Sequence, residues 1–398
     1  MPEAAAPARI PRAILWVPHP SLMWLKAGGL GVLERQLFTA ARAGITSVWV
    51  GTHEPDPALR AGLRVPPGLT VHWVSRDGDA LVACEPPYLG LSGDHFVRVD
   101  ALAHVARQSF GQSVSYEDDA GLGVIQAVVS RDESTTRSKQ VLAPGTYRRL
   151  EAPVGGEETV DWLMATGPKS QDGFMARNFD RHISLSVSRL LLDTGVTPNA
   201  MTVFSTLLGL IGAALFLGPS RAWYVPGALL VWLHSVLDGC DGELARVRFQ
   251  ESPLGSDLDF WGDNVVHLAL FTCLGVGFWL GRNGPHTLAL AAVADLGVFV
   301  SAWTAWSHRL ALRAAGARSE AGVTEEPALG GFETRLARLE NMLAQRDFIY
   351  LLVFLAFVDC VYEFLWAAAI GGLLYFGIML YLRRVNEHEQ ARQPHPAR

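Results

Sequence analysis

The sequence predicts two fold classes in one chain: an α/β domain at the front, and an all-α, six-helix transmembrane bundle behind it. Three observations carry this. Apolar residues gather after about residue 199, in several runs near the roughly 20 residues that a helix needs to cross a bilayer. Before that point polar and apolar residues alternate, with frequent Pro and Gly. Within this front part, strand-like apolar runs alternate with a helical period, the order that builds a largely parallel sheet. At 398 residues the chain is long enough for both parts. Its mean hydropathy of +0.20 is high for a soluble protein.

The net charge of -6 comes with no basic stripe, which argues against nucleic acid as a partner. Cys84, Cys240, Cys273 and Cys360 lack metal-ligand spacing and imply no disulfide framework. The first residues, Met1-Pro-Glu-Ala-Ala-Ala-Pro7, have no apolar core behind a basic start, so no secretory signal is expected and the front domain is placed in the cytoplasm.

Taken in order, Ala13-Ile-Leu-Trp-Val17 predicts a buried strand. Residues 30–43 put Leu30, Leu33, Leu37 and Ala41 on one helical face, and Gly44 stops that helix. Ser47-Val-Trp-Val-Gly51 begins the next strand, with later strands expected at 70–74, 88–92 and 122–129. From Phe174 to Asp193, apolar residues set among Arg177, Arg181 and Arg189 suit a helix lying at the membrane surface. Thr197-Pro-Asn199 then gives a turn and a helix start. Six spans follow, at 200–218, 222–242, 258–280, 287–307, 347–360 and 363–382. The organisation expected is an α/β domain at 1–168, a linker with a juxtamembrane helix at 169–198, a membrane domain at 199–385 and a tail at 386–398. Arg309, Arg313, Arg318, Arg335, Arg338 and Arg346 lie between spans four and five, Arg246 and Arg248 between two and three, and Arg383-Arg384 opens the tail. The other side has only Arg221 and Arg282, so both termini are predicted to be cytoplasmic.

The informative stretch joins spans two and three. Asp238 and Asp241 are three residues apart and share one helix face; Asp259 and Asp263 are four apart and share a face of the next helix. A helical hairpin would aim both pairs into one cleft. Each Asp at membrane depth costs about 2.5–3.5 kcal/mol on insertion scales, and like charges add to that. A divalent cation offsets this cost, and hard oxygen donors in that number suit Mg²⁺ or Mn²⁺. Two such ions about 4 Å apart would clamp a pyrophosphate and its leaving oxygen. Gly239, Gly242 and Gly255 allow close approach of a ligand, and Arg246 supplies a permanent cation for a phosphate oxygen. His234 and His267, one turn before and after the acids, are weaker leads, and Asp295 in span four has no nameable partner.

Asp238, Asp241, Gly242, Ala245, Arg246, Gly255, Asp259 and Asp263 fit the pattern Asp-x2-Asp-Gly-x2-Ala-Arg-x8-Gly-x3-Asp-x3-Asp at every fixed position. The run therefore resembles the CDP-alcohol phosphotransferase family of six-helix membrane enzymes, from about Phe174 to Arg384. The resemblance implies metal ligation by Asp238, Asp241 and Asp259, with Asp263 also at the metals and acting as the base on the acceptor hydroxyl. It implies a CDP site formed by Gly242, Ala245, Arg246 and Gly255 together with Asp238 and Asp241, and a CMP leaving group. It also implies a homodimer. Arg309 and Arg346, at the cytoplasmic ends of spans four and five, are candidates for an acceptor phosphate.

In the front domain, Ala27-Gly-Gly-Leu-Gly-Val-Leu-Glu-Arg-Gln-Leu37, Ala43–Val50 and Leu89-Gly-Leu-Ser-Gly-Asp94 resemble a sugar-phosphate nucleotidyltransferase. Such domains occur fused to this membrane domain in inositol-phosphate cytidylyltransferase / di-inositol-phosphate phosphate synthase enzymes, a branch that Asp238–Glu243 and Arg346–Tyr350 also resemble. Pro18-His-Pro20 stands where that family needs a glycine-rich, arginine-bearing phosphate loop. The domain is expected to be degenerate, with Lys26 and Asp94 as the residues through which activity would show. The donor expected for the membrane domain is a CDP-inositol-like alcohol or CDP-diacylglycerol, and the acceptor a polyol phosphate or lipid. A cation transporter or an inactive scaffold is the alternative; the lack of internal repeats weighs against the first, and the complete motif against the second.

Overall fold

The computed structural model describes residues 10–17, 19–51, 62–74, 84–130, 138–151, 154–165, 179–281, 283–314 and 348–392. The chain divides into two compact units, Met1–Thr166 with Val247–Phe249, and Gly167–Arg246 with Gln250–Arg398.

The front unit is built on a seven-stranded sheet of order β10-β8-β9-β6-β1-β4-β5. Its central strands are β1 (Arg12–Trp16), β4 (Ser47–Gly51), β5 (Thr70–Val74) and β6 (Tyr88–Ser92), all parallel. These are the strands expected from the apolar runs. The sheet is mixed, because β9 (Gly123–Val128) runs antiparallel to both β6 and β8 (Val114–Glu117). Beyond β8 lies β10 (Ser138–Val141), an edge strand whose side chains are mostly exposed. Helices α1 (Val32–Arg42), α2 (Val99–Arg107) and α3 (Glu157–Met164) complete the unit, with β7 (His95–Val97) paired to β11 (Tyr147–Arg149). Ile14, Leu33, Leu37, Leu89, Leu102 and Ile125 are fully buried and form its core.

One boundary moves. The helix expected from Leu30 begins at Val32, and Leu30 instead belongs to β3 (Leu30–Gly31), paired with β2 (Lys26–Ala27). Gly28 and Gly29 join the two strands with φ of 58° and 75°, which only a glycine pair adopts without strain.

The rear unit is helical. It runs from α4 (Arg181–Leu191) through α5 (Pro198–Leu215), α6 (Arg221–Arg248), α7 (Pro253–Leu280) and α8 (His286–Ala314) to α9 (Phe348–Phe357) and α10 (Val361–Arg392). Thr197 caps α5 by accepting from the Ala200 amide, with Pro198 in the first turn, as the sequence signalled. Among the described residues, four helices are long and apolar enough to cross a membrane: Pro198–Leu215, Pro253–Leu280, His286–Ala314 and Val361–Ile378. Of the other two expected spans, α6 has 28 residues, a rise of about 42 Å, but its C-terminal half carries the charges of the motif. The other, α9, has 10 described residues, and residues 315–347 before it lie outside the described part. Phe216, Tyr224, Val231, Leu270, Leu274 and Leu365 fill the interior, while Val203, Leu207 and Ile211 form an exposed apolar stripe along α5. That is the pattern of a membrane protein. The juxtamembrane helix is present as α4; its start at Phe174 falls outside the described residues.

Candidate active site

Helices α6 and α7 present the motif acids. The chain reverses between them, and Ser252 starts α7 by accepting from the Gly255 amide at 3.0 Å, with Pro253 following. Asp238 and Asp241 are 3% and 7% exposed, so this pair sits inside the unit. Ligand-competent atoms of Asp238, Asp241 and Asp259 lie within 4.8 Å of one another. Those of His234, Asp238 and Asp263 form a second such group. Asp238 is common to both. The expected convergence of two carboxylate pairs is therefore met, and buried oxygens this close suit hard divalent cations.

The neighbouring helix α5 sets the spacing. Thr202 donates a hydrogen bond to Asp241 Oδ2. Gly262, beside Asp263, lies so near α5 that a Cβ there would come within 2.6 Å of Thr206 Oγ1. Gly255 gives its space to protein: an added Cβ would meet Asn199 Oδ1 at 2.9 Å and Ser252 Oγ at 3.1 Å. A Cβ on Gly242 would meet Arg246 Nη1 at 3.0 Å, so the guanidinium lies back along its own helix. Ala245 is buried and Arg246 half-buried.

The remaining candidates have separate surroundings. Arg309 is exposed and stacks its guanidinium on Phe260, 4.4 Å from the ring centroid and one residue past Asp259. Arg346 lies outside the described residues. His267 packs against the Phe348 ring. Asp295 has the partner that sequence could not name, accepting from Thr272 Oγ1 at 2.7 Å.

Two features were missed by sequence reasoning. One is Thr202. The other is Glu243, in a variable slot of the motif, which accepts from Ser184 Oγ at 2.9 Å and Ser188 Oγ at 2.7 Å and so fastens α4 to α6. The signal was there in the four-residue spacing of two serines on an otherwise amphipathic helix.

In the front unit, Trp16, Val17, Gly90, Leu91, Ser92 and Gln126 line a cavity of about 210 Å³ at the carboxyl ends of β1 and β6. After β1 the chain enters a 3₁₀ turn, Pro20–Trp24. Lys26 is exposed on β2, and Asp94 is half-buried in the turn after β6. Beside it, buried His95 faces Asp118 Oδ2 at 3.3 Å through Nε2 and Ser92 Oγ at 3.2 Å through Nδ1. Burial pushes His95 below its ordinary value, outweighing the upward pull of Asp118 and Asp94. Burial pushes Asp118 up, but the Leu122 and Ala120 amides and His95 together hold it below its ordinary value.

Among known proteins, the chain is similar to a bifunctional IPC transferase and DIPP synthase of Rubrobacter xylanophilus, 31% identical over 58% of this chain and 51% of that protein. The chain spans about half or less of the length of the curated relatives that it matches first. A phosphatidylinositol phosphate synthase of Mycobacteroides abscessus is 30% identical over 39% of this chain and 68% of that protein. A crystal structure of the Mycobacterium tuberculosis phosphatidylinositol phosphate synthase with CDP-DAG bound aligns with 50% of this chain and 94% of that one, at 20% identity and a TM-score of 0.35. Residues 195–374 match the CDP-alcohol phosphatidyltransferase family model, a segment that contains every carboxylate of the centre. The chain belongs to the CDP-alcohol phosphatidyltransferase family.

Proposed function

We propose that the rear unit transfers a substituted phosphate from a CDP-alcohol to an acceptor hydroxyl and releases CMP. The observation that carries this reading is the convergence of buried Asp238 and Asp241 with half-buried Asp259, Asp238 being shared by a second group containing Asp263. Asp238, Asp241 and Asp259, with Asp263 beside them, would hold Mg²⁺ or Mn²⁺, and the shared carboxylate accommodates two ions. Such ions, when bound, neutralise charge on the pyrophosphate and on the departing CMP.

The chain's own groups do the rest. Asp263 takes the proton from the acceptor hydroxyl. The acceptor oxygen forms a bond to the β-phosphorus, the bond from that phosphorus to the CMP oxygen breaks in line, and CMP leaves with the electron pair. Thr202, by donating to Asp241, holds that carboxylate in place. The nucleotide side is Gly242, Ala245, Arg246 and Gly255, where Arg246 gives a fixed positive charge. An acceptor phosphate is met by Arg309 and Arg346. The donor is CDP-inositol-like or CDP-diacylglycerol, and the acceptor a polyol phosphate or a lipid. The exposed apolar faces of the helices support a membrane location; the unit sits there as a homodimer with both termini in the cytoplasm, the side favoured by the arginines of the loops, and the front domain is a degenerate nucleotidyltransferase relative.

The test is CMP release by the full chain in detergent, with CDP-diacylglycerol and CDP-inositol each offered with inositol phosphate and Mg²⁺ or Mn²⁺. One pair releases CMP, and Asp263→Asn lowers the rate at least ~10³-fold. Release that persists in that variant removes the base assignment, and no release with either donor removes the reading.

A further inference from the structure

Besides Thr202, a second buried side chain outside the eight motif positions reaches the centre. His234 lies one turn before Asp238, is 2% exposed, and places Nε2 3.5 Å from Asp263 Oδ1. Helix α5 makes room for it at Gly209, where a Cβ would come within 2.8 Å of both His234 Cγ and the methyls of Val266. The imidazole is thus gripped between α5, α6 and α7, and its orientation is set by packing.

The other ring nitrogen, Nδ1, is buried and has no hydrogen-bond partner among the described residues. A neutral imidazole carries its proton on one nitrogen only. A proton on Nδ1 would strand a buried donor, whereas a proton on Nε2 strands only an acceptor, the less costly omission. The Nε2–H then faces a carboxylate. At 3.5 Å the contact is longer than a finished hydrogen bond, as such contacts often are before substrate draws the site together.

We propose that His234, as the Nε2–H tautomer, is a positioning residue for Asp263. Its N–H holds one oxygen of the carboxylate and so aims the other at the acceptor hydroxyl. This rests on the reading of Asp263 as the base. His234 itself touches neither donor nor acceptor; it acts through the carboxylate, where a misplacement of about 1 Å costs up to ~10²-fold in rate.

The test uses the full chain in detergent with Mn²⁺ and whichever of CDP-diacylglycerol or CDP-inositol releases CMP. His234→Phe lowers kcat by about 10–100-fold while KM for the donor stays within about 2-fold. Mn²⁺ affinity, followed by electron paramagnetic resonance, does not change. His234→Gln, whose amide nitrogen falls near the Nε2 position, restores most of kcat. In an Asp263→Asn background His234→Phe adds no further loss, because the two act as one unit. Equal impairment in the Phe and Gln variants overturns the proposal, and so does a His234→Phe protein as active as the parent. Weaker Mn²⁺ binding in His234→Phe, with loss of nitrogen coupling from the Mn²⁺ spectrum, makes His234 a ligand and also overturns it. If His234→Phe does not fold, His234→Asn replaces it, since its amide stops at the Nδ1 position. A readout independent of turnover is the ¹⁵N spectrum of histidine-labelled protein, with His234 identified by its loss in His234→Gln; an Nδ1–H tautomer overturns the proposal. Failure of the base reading is distinct, since it shows in Asp263→Asn alone.

Discussion

In the front unit, Ile14, Leu37, Leu89 and Ile125 are fully buried, and the polar groups buried among them, such as Arg35, Gln36 and the His95–Asp118 contact, are each held by hydrogen-bonding partners. In the rear unit, Ser188, Ser205 and Thr287 are equally buried and Asp238 nearly so, while Leu207, Ile211, Phe299 and Leu373 are about half exposed. Both units bury an apolar core, but among the described residues only the rear unit also carries long exposed apolar stripes on its helices. A water-soluble sheet gains by removing apolar area from water. Helices whose outer surroundings are hydrocarbon gain nothing from hiding leucine, so their interiors are free to hold polar groups that pair with one another. The carboxylate centre lies in the unit whose outer faces carry exposed leucine, isoleucine and phenylalanine beside a buried cluster of acids and hydroxyls.

The largest effect that would break this contrast is catalytic. Asp238→Asn is expected to lower CMP release by at least ~10³-fold, or about 4 kcal/mol of activation free energy. Asp94→Asn, in the front unit, is expected to leave the rate within about 2-fold, as the proposed placement of the chemistry in the rear unit requires. A comparable fall in both variants would mean that the front unit takes part in turnover.

A smaller effect tests the outer faces. Leu207→Arg, on the exposed stripe of α5, is expected to cost about 2.5–3.5 kcal/mol of insertion, seen as lower yield in the membrane fraction. Val141→Lys, at a front position that is 73% exposed, stays within about 0.5 kcal/mol by thermal melting. Equal tolerance would show that the α5 face meets water.

The smallest effect concerns pH. Because burial lowers His95 in the folded state, the unfolded chain takes up a proton that the fold refuses as pH drops below about 6.5. Asp118 is also lowered, and its contribution is lost further down, below the ordinary carboxylate value and through its own. Front-unit stability is therefore greatest above neutrality and falls on acidification. His95→Gln flattens the change between about pH 7 and 5, measured as the tryptophan-fluorescence melting midpoint.

Much of this was legible in the residues. The runs at 70–74 and 88–92 are β5 and β6 to the residue, and Thr197-Pro198 marks the start of α5. The four aspartates were legible because charge at membrane depth is expensive and helical spacing fixes which charges share a face. The strand β10, Ser-Lys-Gln-Val, was not, since an edge strand with exposed side chains lacks the alternation that betrays burial. Neither was the bond of Thr202 to Asp241, and the serine spacing on α4 marked a polar pair without naming Glu243 as its partner, because contacts between helices depend on how the helices pack. At Gly255 the fold adds what sequence did not show, a close approach of Asn199 to the glycine.

The tight contact at Gly262 bears on how such a centre can change over time. A single carbon added there would have to displace Thr206 Oγ1, by turning that side chain or by moving α7, which carries Asp259 and Asp263. Variation on the outward faces is cheap by comparison. The seam between α5 and α7 therefore admits little drift, and new donor or acceptor preferences have to arise at the rim of the cleft, leaving the gap between its walls as it is.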